Sequence, residues 1–224
     1  MPNIKKSVNR KNEFLEVAQA LFSEKGFEST SVDDIVRRMG VAKGLFYYYF
    51  DSKDELMKII VERLLDEIES SITAVMEKKN LTALERFREL ILASSDVSSR
   101  KQIMMAYFHH ERNQLAHLAI ENRSRAFMVP VMERIIVQGN EEGVFHADHP
   151  HETAVTLVTM VGVIRHDHPY PLSQDEAVHL TEVMQDLAER LLVMEKGSFV
   201  ILQDMMPPAL RERAMRTRQS KKGC

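Results

Sequence analysis

The chain has 224 residues, 44% of them hydrophobic and 28% charged, with a formal net charge of −3. Its composition is that of a globular protein, and no apolar run approaches the ~18 residues that a membrane span needs. The sole cysteine is Cys224, which excludes an internal disulfide and a cysteine-built metal site.

Charge is spread unevenly. Residues 1–50 hold eight Lys/Arg against six Asp/Glu, residues 51–206 hold 16 against 26, and residues 207–224 hold six against one. An acidic body with basic ends is compatible with a nucleic-acid binder, whose footprint needs only local positive charge. The N-terminus is basic but no apolar stretch of signal-peptide length follows it, so a cytoplasmic protein is expected. Gly and Pro are sparse, helical periodicity runs almost throughout, and neither a convincing strand nor an internal repeat is found, so an all-α fold is predicted.

Residues 3–11 read as a flexible basic arm. A helix is expected from about Arg10 to Lys25, with Phe14, Ala18, Leu21 and Phe22 on one face and Gly26 ending it. Thr30 or Ser31 can cap a second helix, with Asp33 and Asp34 in its first turn and Val32, Ile35, Val36 and Met39 on its apolar face. Gly40 supplies a tight turn, and a third helix covers about Ala42 to Phe50. At ~100° per residue, Phe46, Tyr49 and Phe50 share one side of it, while Gly44, Leu45, Tyr47 and Tyr48 point away. A nine-residue helix has too little inward face to bury five aromatic rings. Tyr47 and Tyr48 are therefore expected to face outward, beside a helix N-terminus carrying Lys43, where phosphate is attracted.

The run SVDDIVRRMGVAKGLFYYYFDSKDEL resembles the helix-turn-helix of the TetR family of transcriptional regulators. The matches are Ser31, Val32, Ile35, Gly40, Val41, Lys43, Gly44, Tyr47, Phe50, Lys53 and Leu56. The run departs from the family pattern at Val36, Ala42, Phe46 and Tyr49, and Ala42 lacks the hydroxyl that would cap the third helix. The resemblance implies that Gly44, Leu45 and Tyr48 face base edges in the major groove, and that Ser31, Lys43, Tyr47 and Lys53 hold phosphates. It further implies an N-terminal DNA-binding domain at 1–51, a helical effector-binding and dimerisation domain at 52–206, and a basic tail at 207–224.

Ser52 to Glu55 forms an S-x-x-E capping box for a long helix striped by Leu56, Ile59, Ile60, Leu64, Ile68, Ile72, Val75 and Met76, and ending at Lys78-Lys79-Asn80. Thr82 opens a helix over about Ala83–Ala93; further helices are expected over Arg100–His110 and Asn113–Gly139, the latter kinked near Pro130. Pro150 fits the first turn of a helix over His151–Arg165 that is apolar nearly all round, and Ser173 to Glu176 boxes the start of the next. Those two helices read either as core or as a dimer interface carried by Ala154, Leu157, Val158, Val161, Met184, Leu187 and Leu191; the resemblance and the two-fold logic of DNA half-sites favour the dimer. Beyond Gly197 the basic end reads as a solvated tail, with a basic helix adding nonspecific DNA affinity as the alternative.

Histidines 146, 149 and 151, and the group His166-Asp167-His168, are too loosely spaced to pin a metal site, and no metal or cofactor is predicted. His109-His110-Glu111 has no second copy, and no P-loop, G-x-S-x-G or dinucleotide fingerprint is present, so no enzyme is predicted. In related regulators a small molecule binds within the larger domain. Met104, Met105, Phe108, Phe127, Met128, Met132 and Met160 read singly as core filling, but together they suit an apolar pocket here, with His109, Arg112 or Arg165 fixing a polar end. The function expected is a dimeric, sequence-specific DNA-binding repressor released by an apolar or amphipathic effector. The competing expectation is a helical small-molecule binding or interaction protein whose helix-turn-helix no longer engages DNA.

Overall fold

A computed structural model describes residues 2–95, 114–167 and 173–199. Among the described residues there are eight α-helices and no strand: α1 Pro2–Lys25, α2 Val32–Met39, α3 Lys43–Tyr49, α4 Lys53–Glu77, α5 Ala83–Ser95, α6 Gln114–Glu141, α7 Pro150–Asp167 and α8 Gln174–Leu191. The helix expected over Arg100–His110 lies outside the described residues. The all-α expectation holds, with one correction: residues 3–11 are not an irregular arm but the first turns of α1. Two compact units divide the described residues, one holding those up to Ala74, α1–α3 included, together with 92–95 and 114–119, the other holding Val75–Ile91 and the residues from Ile120 onward.

In the first unit the core is aromatic. Phe14, Ala18, Leu21 and Phe22 of α1 are buried, as the spacing predicts, together with Ile35 and Val36 of α2 and Phe46 and Phe50 at α3. Phe14 is the centre: its ring lies 5.8 Å from Phe46 and 5.8 Å from Phe50, both near-perpendicular, and 5.9 Å from Tyr49. Edge-to-face pairs of this kind add roughly 0.5–1.5 kcal/mol each to the burial of the rings. Ser31, not Thr30, caps α2: its hydroxyl accepts from the Asp34 amide while the Asp34 carboxylate accepts from the Ser31 amide at 2.9 Å. Thr30 is buried instead, donating to the Gly26 carbonyl at 2.7 Å and so closing the turn between α1 and α2. Gly40 ends α2 at φ +66°, a left-handed conformation that residues with a Cβ rarely adopt, and the chain turns there so that Val41 N–H reaches the Val36 carbonyl at 3.0 Å.

The second unit is built around a polar joint. The Arg86 guanidinium of α5 donates to the carbonyls of Val75 (3.0 Å), Met76 (2.9 Å) and Lys78 (3.0 Å), capping the C-terminal end of α4. Its Nε donates to Gln138 Oε1 of α6 at 3.0 Å, and Gln138 Nε2 in turn donates to the Leu81 carbonyl at 2.7 Å. Glu142 completes the joint by accepting from the Ala83 amide at 2.9 Å, the N-terminal end of α5. A helix end carries unsatisfied carbonyls, and one planar, five-donor guanidinium can serve three of them at once.

Beyond α6, Gly139 lies so close to the fully buried Phe145 ring that a Cβ there would fall 1.9 Å from it. Pro150 begins α7 as its composition predicts, and the Ser173–Glu176 box begins α8. Glu189, 4% exposed, satisfies its buried carboxylate with the amides of Gly197 (2.8 Å) and Phe199 (3.0 Å) and the Gln185 side chain (2.8 Å). That arrangement folds the chain after Gly197 back so that Phe199 meets Phe87 with ring centroids 4.9 Å apart.

Candidate nucleic-acid interface

The two faces of α3 are sharply unlike. Phe46 is buried and Leu45 and Tyr49 are half-buried, whereas Tyr47 is 53% and Tyr48 74% exposed. The neighbouring rings hold the exposed ones in place: Tyr47 stands perpendicular to Phe46 at 5.3 Å, and Tyr48 perpendicular to Tyr49 at 4.9 Å. Exposing two tyrosines on a seven-residue helix is costly as packing and useful as a contact surface, since each offers a ring face and a hydroxyl. Gly44 is exposed, and a Cβ added there would meet nothing within 4 Å, so the bare backbone leaves the surface open for close approach.

The cations around this surface are engaged. Lys43 pairs with Asp33 at 3.0 Å, which raises the lysine's pKa and bridges α3 to α2; both side chains are half-exposed, so the pair is a weak surface one. The Ser31 hydroxyl donates to Asp34 at 2.6 Å, and Asp34 is also paired with Lys25 at 2.8 Å. The Lys25 ammonium, and after it the Ser31 hydroxyl and amide, hold the Asp34 carboxyl well below the usual carboxylate range.

Lys53 is engaged within the chain. Its ammonium donates to the carbonyls of Phe27 (2.8 Å) and Thr30 (2.9 Å) and lies 4.0 Å from the Phe27 ring centroid. Two of its three donors thus tie the first turn of α4 to the α1–α2 connection, a tether the sequence does not announce. Ser52 caps α4 by accepting from the Glu55 amide at 3.0 Å, while the Glu55 carboxylate reaches the Asp51 amide, one residue earlier than the box predicts.

The remaining candidates fall in the larger part of the chain. Met104, Met105, Phe108, His109 and Arg112, and the side chain of Arg165, lie outside the described residues. Met132 is buried, and Phe127, Met128 and Met160 are half-buried. For the dimer face a correction is needed: Ala154 (0%) and Leu157 (3%) are buried within the single chain, so they pack its own core and have no surface to give a second copy. Val158, Val161, Met184, Leu187 and Leu191 are half-buried, and exposed apolar surface on these helices includes Val155 and Val183. Among the described residues no cluster of His, Cys, Asp or Glu could hold a metal ion, and no helix is long and apolar enough to cross a membrane.

Sequence reasoning missed the polar joint, Arg86 and Gln138 included. Nothing local marks these two among the charged and amide residues of their helices, because they lie 52 residues apart in the chain.

A short helix with two splayed tyrosines, a glycine turn before it and a locked aromatic back has the arrangement of a helix-turn-helix. Residues 14–60 match the family described as bacterial regulatory proteins, tetR family, and residues 80–166 match the tetracyclin repressor-like C-terminal domain. The HTH-type transcriptional repressor KstR2 of Mycobacterium tuberculosis is 30% identical over 147 residues, which cover 62% of this chain and 71% of that protein. The uncharacterized HTH-type transcriptional regulator YfiR of Bacillus subtilis is also 30% identical, over 63% of this chain and 70% of its own. Among solved structures, a transcriptional regulator from Cytophaga hutchinsonii superposes with a TM-score of 0.64 at 17% identity, covering 80% of this chain and 95% of that one. The chain belongs to the TetR family. It is a DNA-binding transcriptional regulator, and the family is not one of enzymes.

Proposed function

We propose that this regulator is a dimeric repressor that is released from its operator by a small apolar or amphipathic molecule. The observation that carries the DNA side of this reading is the exposure of Tyr47 and Tyr48 from an α3 whose other face is fixed by Phe14, Phe46 and Phe50. Gly44, Leu45 and Tyr48 address the major groove, and Tyr47 and Lys43 address the flanking phosphates, Lys43 by giving up Asp33. Repression is supported by the relatives that carry that name.

Pairing is supported by two considerations. One protomer carries one short reading helix, and two half-sites about 34–36 Å apart suit a two-fold pair. Exposed Val155 and Val183, with half-buried Val158, Val161, Met184, Leu187 and Leu191, offer apolar area on α7 and α8 for it. Release by an effector is supported by the composition of the larger domain, where the methionines and phenylalanines suit an apolar ligand. Such a ligand acts only through its differential affinity for the DNA-competent and incompetent states.

Selection of duplex fragments from a random pool by the purified full chain tests the reading. The expected result is a two-fold symmetric consensus, lost when Tyr47 and Tyr48 are both replaced by Ala. A monomer at micromolar concentration, or unchanged selection by the double variant, contradicts it.

A further inference from the structure

The sequence disagrees with the place where α8 stops. The run Leu192-Val193-Met194-Glu195-Lys196 consists mostly of strong helix formers, carries a lysine at its end and is followed by Gly197. That is the pattern of a helix reaching Lys196 with glycine just past it. The structure ends α8 at Leu191 instead. The left-handed position that normally takes glycine is filled by Val193, at φ +51°, whose β-branched side chain is 54% exposed and gains little there by packing. The turn is closed by the Val193 amide on the Arg190 carbonyl at 3.3 Å and the Met194 amide on the Glu189 carbonyl at 2.8 Å.

A strained turn persists only where its surroundings impose it. Here the imposing group is the buried Glu189 carboxylate, which clasps the amides of Gly197 at 2.8 Å and Phe199 at 3.0 Å. The clasp seats the buried Phe199 ring perpendicular to Phe87 of α5. In a helix that ran straight on, Gly197 would lie about 12 Å along the axis from Glu189, beyond the reach of its carboxylate. The clasp and the longer helix are therefore mutually exclusive. Nor is the clasp fully satisfied. Gln185, fully buried, turns its side-chain amide to Glu189 at 2.8 Å, and its own side-chain oxygen then meets no hydrogen-bond donor among the described residues. A buried acceptor in that condition is unfavourable.

We infer that the C-terminal end of α8 is a two-state element: the clasped form, and a form in which α8 runs on to Lys196, Gly197 ends it and Phe199 leaves Phe87. Burial of two aromatic rings favours the first form. Relief of Val193 and of the buried Gln185–Glu189 pair, with a helix longer by about 7–8 Å, favours the second. In the longer helix the amides of Val193 to Lys196 take carbonyls four residues back, and the Leu192 carbonyl, which now accepts from the His146 amide at 2.9 Å, takes Lys196. Phe87 follows Arg86 on α5, so the clasp joins α8 to the helix whose guanidinium caps the end of α4, and the longer form removes that contact. The inference goes beyond the DNA-binding reading and does not depend on it.

Hydrogen exchange of the full chain, resolved to single amides by mass spectrometry, tests it in the wild type and in F199A, E189Q, V193G and V193G/F199A, with thermal melts to establish folding. F199A and E189Q are expected to slow exchange at Glu195 and Lys196 by about tenfold or more while speeding it at Gly197. V193G, which removes the strain of the clasped form, should slow Gly197 and Phe199 by about threefold or more. V193G/F199A places glycine where the longer helix needs a helix former, and should fail to slow Glu195 and Lys196. Faster exchange at every amide from Val193 to Gly197 in folded F199A and E189Q would mean that the end merely frays, and overturns the inference; unchanged rates overturn it as well. Should neither of those variants fold, V193G at its exposed position decides alone, and unchanged or faster exchange at Gly197 in it contradicts the two-state reading.

Discussion

Phe14 and Arg86 each stand at the centre of a group of side chains, and they hold their surroundings by different means. Around Phe14 the forces are apolar: the rings of Phe46, Tyr49 and Phe50, 32 to 36 residues further on, close on it, and the polar work is left to caps and turns at the edges. Around Arg86 the forces are hydrogen bonds, made to helix-end carbonyls of Val75, Met76 and Lys78 and to Gln138 across 52 residues of chain. The first arrangement gives a rigid frame, as a reading head needs. The second fixes the C-terminal end of α4, the helix that begins at the module's tether Lys53, with bonds that can be exchanged one at a time.

The largest expected effect comes from emptying the aromatic frame. Phe14→Ala removes a fully buried ring and should destabilise the module by roughly 3–5 kcal/mol in denaturant unfolding, with DNA binding lost as a consequence. Breaking the joint should cost less. Arg86→Ala strands three carbonyls and an amide oxygen, and about 2–3 kcal/mol is expected; Arg86→Lys should recover little of it, because an ammonium cannot match the fork of a guanidinium. If Arg86→Lys proves as stable as wild type, the joint is held by charge alone and the contrast between the two regions weakens.

Smaller effects separate framework from contact surface. Ser31→Ala removes the cap of α2 and should cost about 1 kcal/mol. Gly44→Ala should behave in the opposite sense. A methyl there meets open space, so stability should rise by about 0.5–1 kcal/mol while DNA affinity falls, because the methyl stands where the duplex approaches.

The smallest effect concerns pH. The hydrogen bond from His151 to Glu133 raises the histidine's pKa, so its contribution to stability is complete below the ordinary value near 6.5 and fades as pH rises through the raised one. A thermal melt series from pH 6 to 9 should show a slight decline that His151→Gln abolishes.

How far these features could be read from the residues follows the same division. The capping residues Ser52 and Ser173, the turn at Gly40, the burial of Phe46 and Phe50 and the exposure of Tyr47 and Tyr48 are local consequences of spacing, and they were legible. Periodicity is also what marks α4 and α8, whereas α7 is marked by Pro150 at its start and a long apolar run. Periodicity could not say which side of α7 meets its own chain, because a helix apolar nearly all round offers no preferred face; Ala154 and Leu157 are internal. Nor could it find the partners of Lys53, whose charge invited a phosphate while two backbone carbonyls 26 and 23 residues back claimed its protons. The basic start of α1 was visible as charge. Its helical continuation, and the pairing of every cation between residues 12 and 50, were not.

The central claim is that the outer face of α3 reads DNA while its inner face only holds it in place. Replacing Tyr47 and Tyr48 together by Ala, and measuring both unfolding and binding to the selected duplex, tests that claim most directly. Stability within about 0.5 kcal/mol of wild type is predicted, as for surface positions generally, with binding to the selected duplex reduced to the level of unrelated DNA. Full affinity with intact selectivity in the double variant would contradict it.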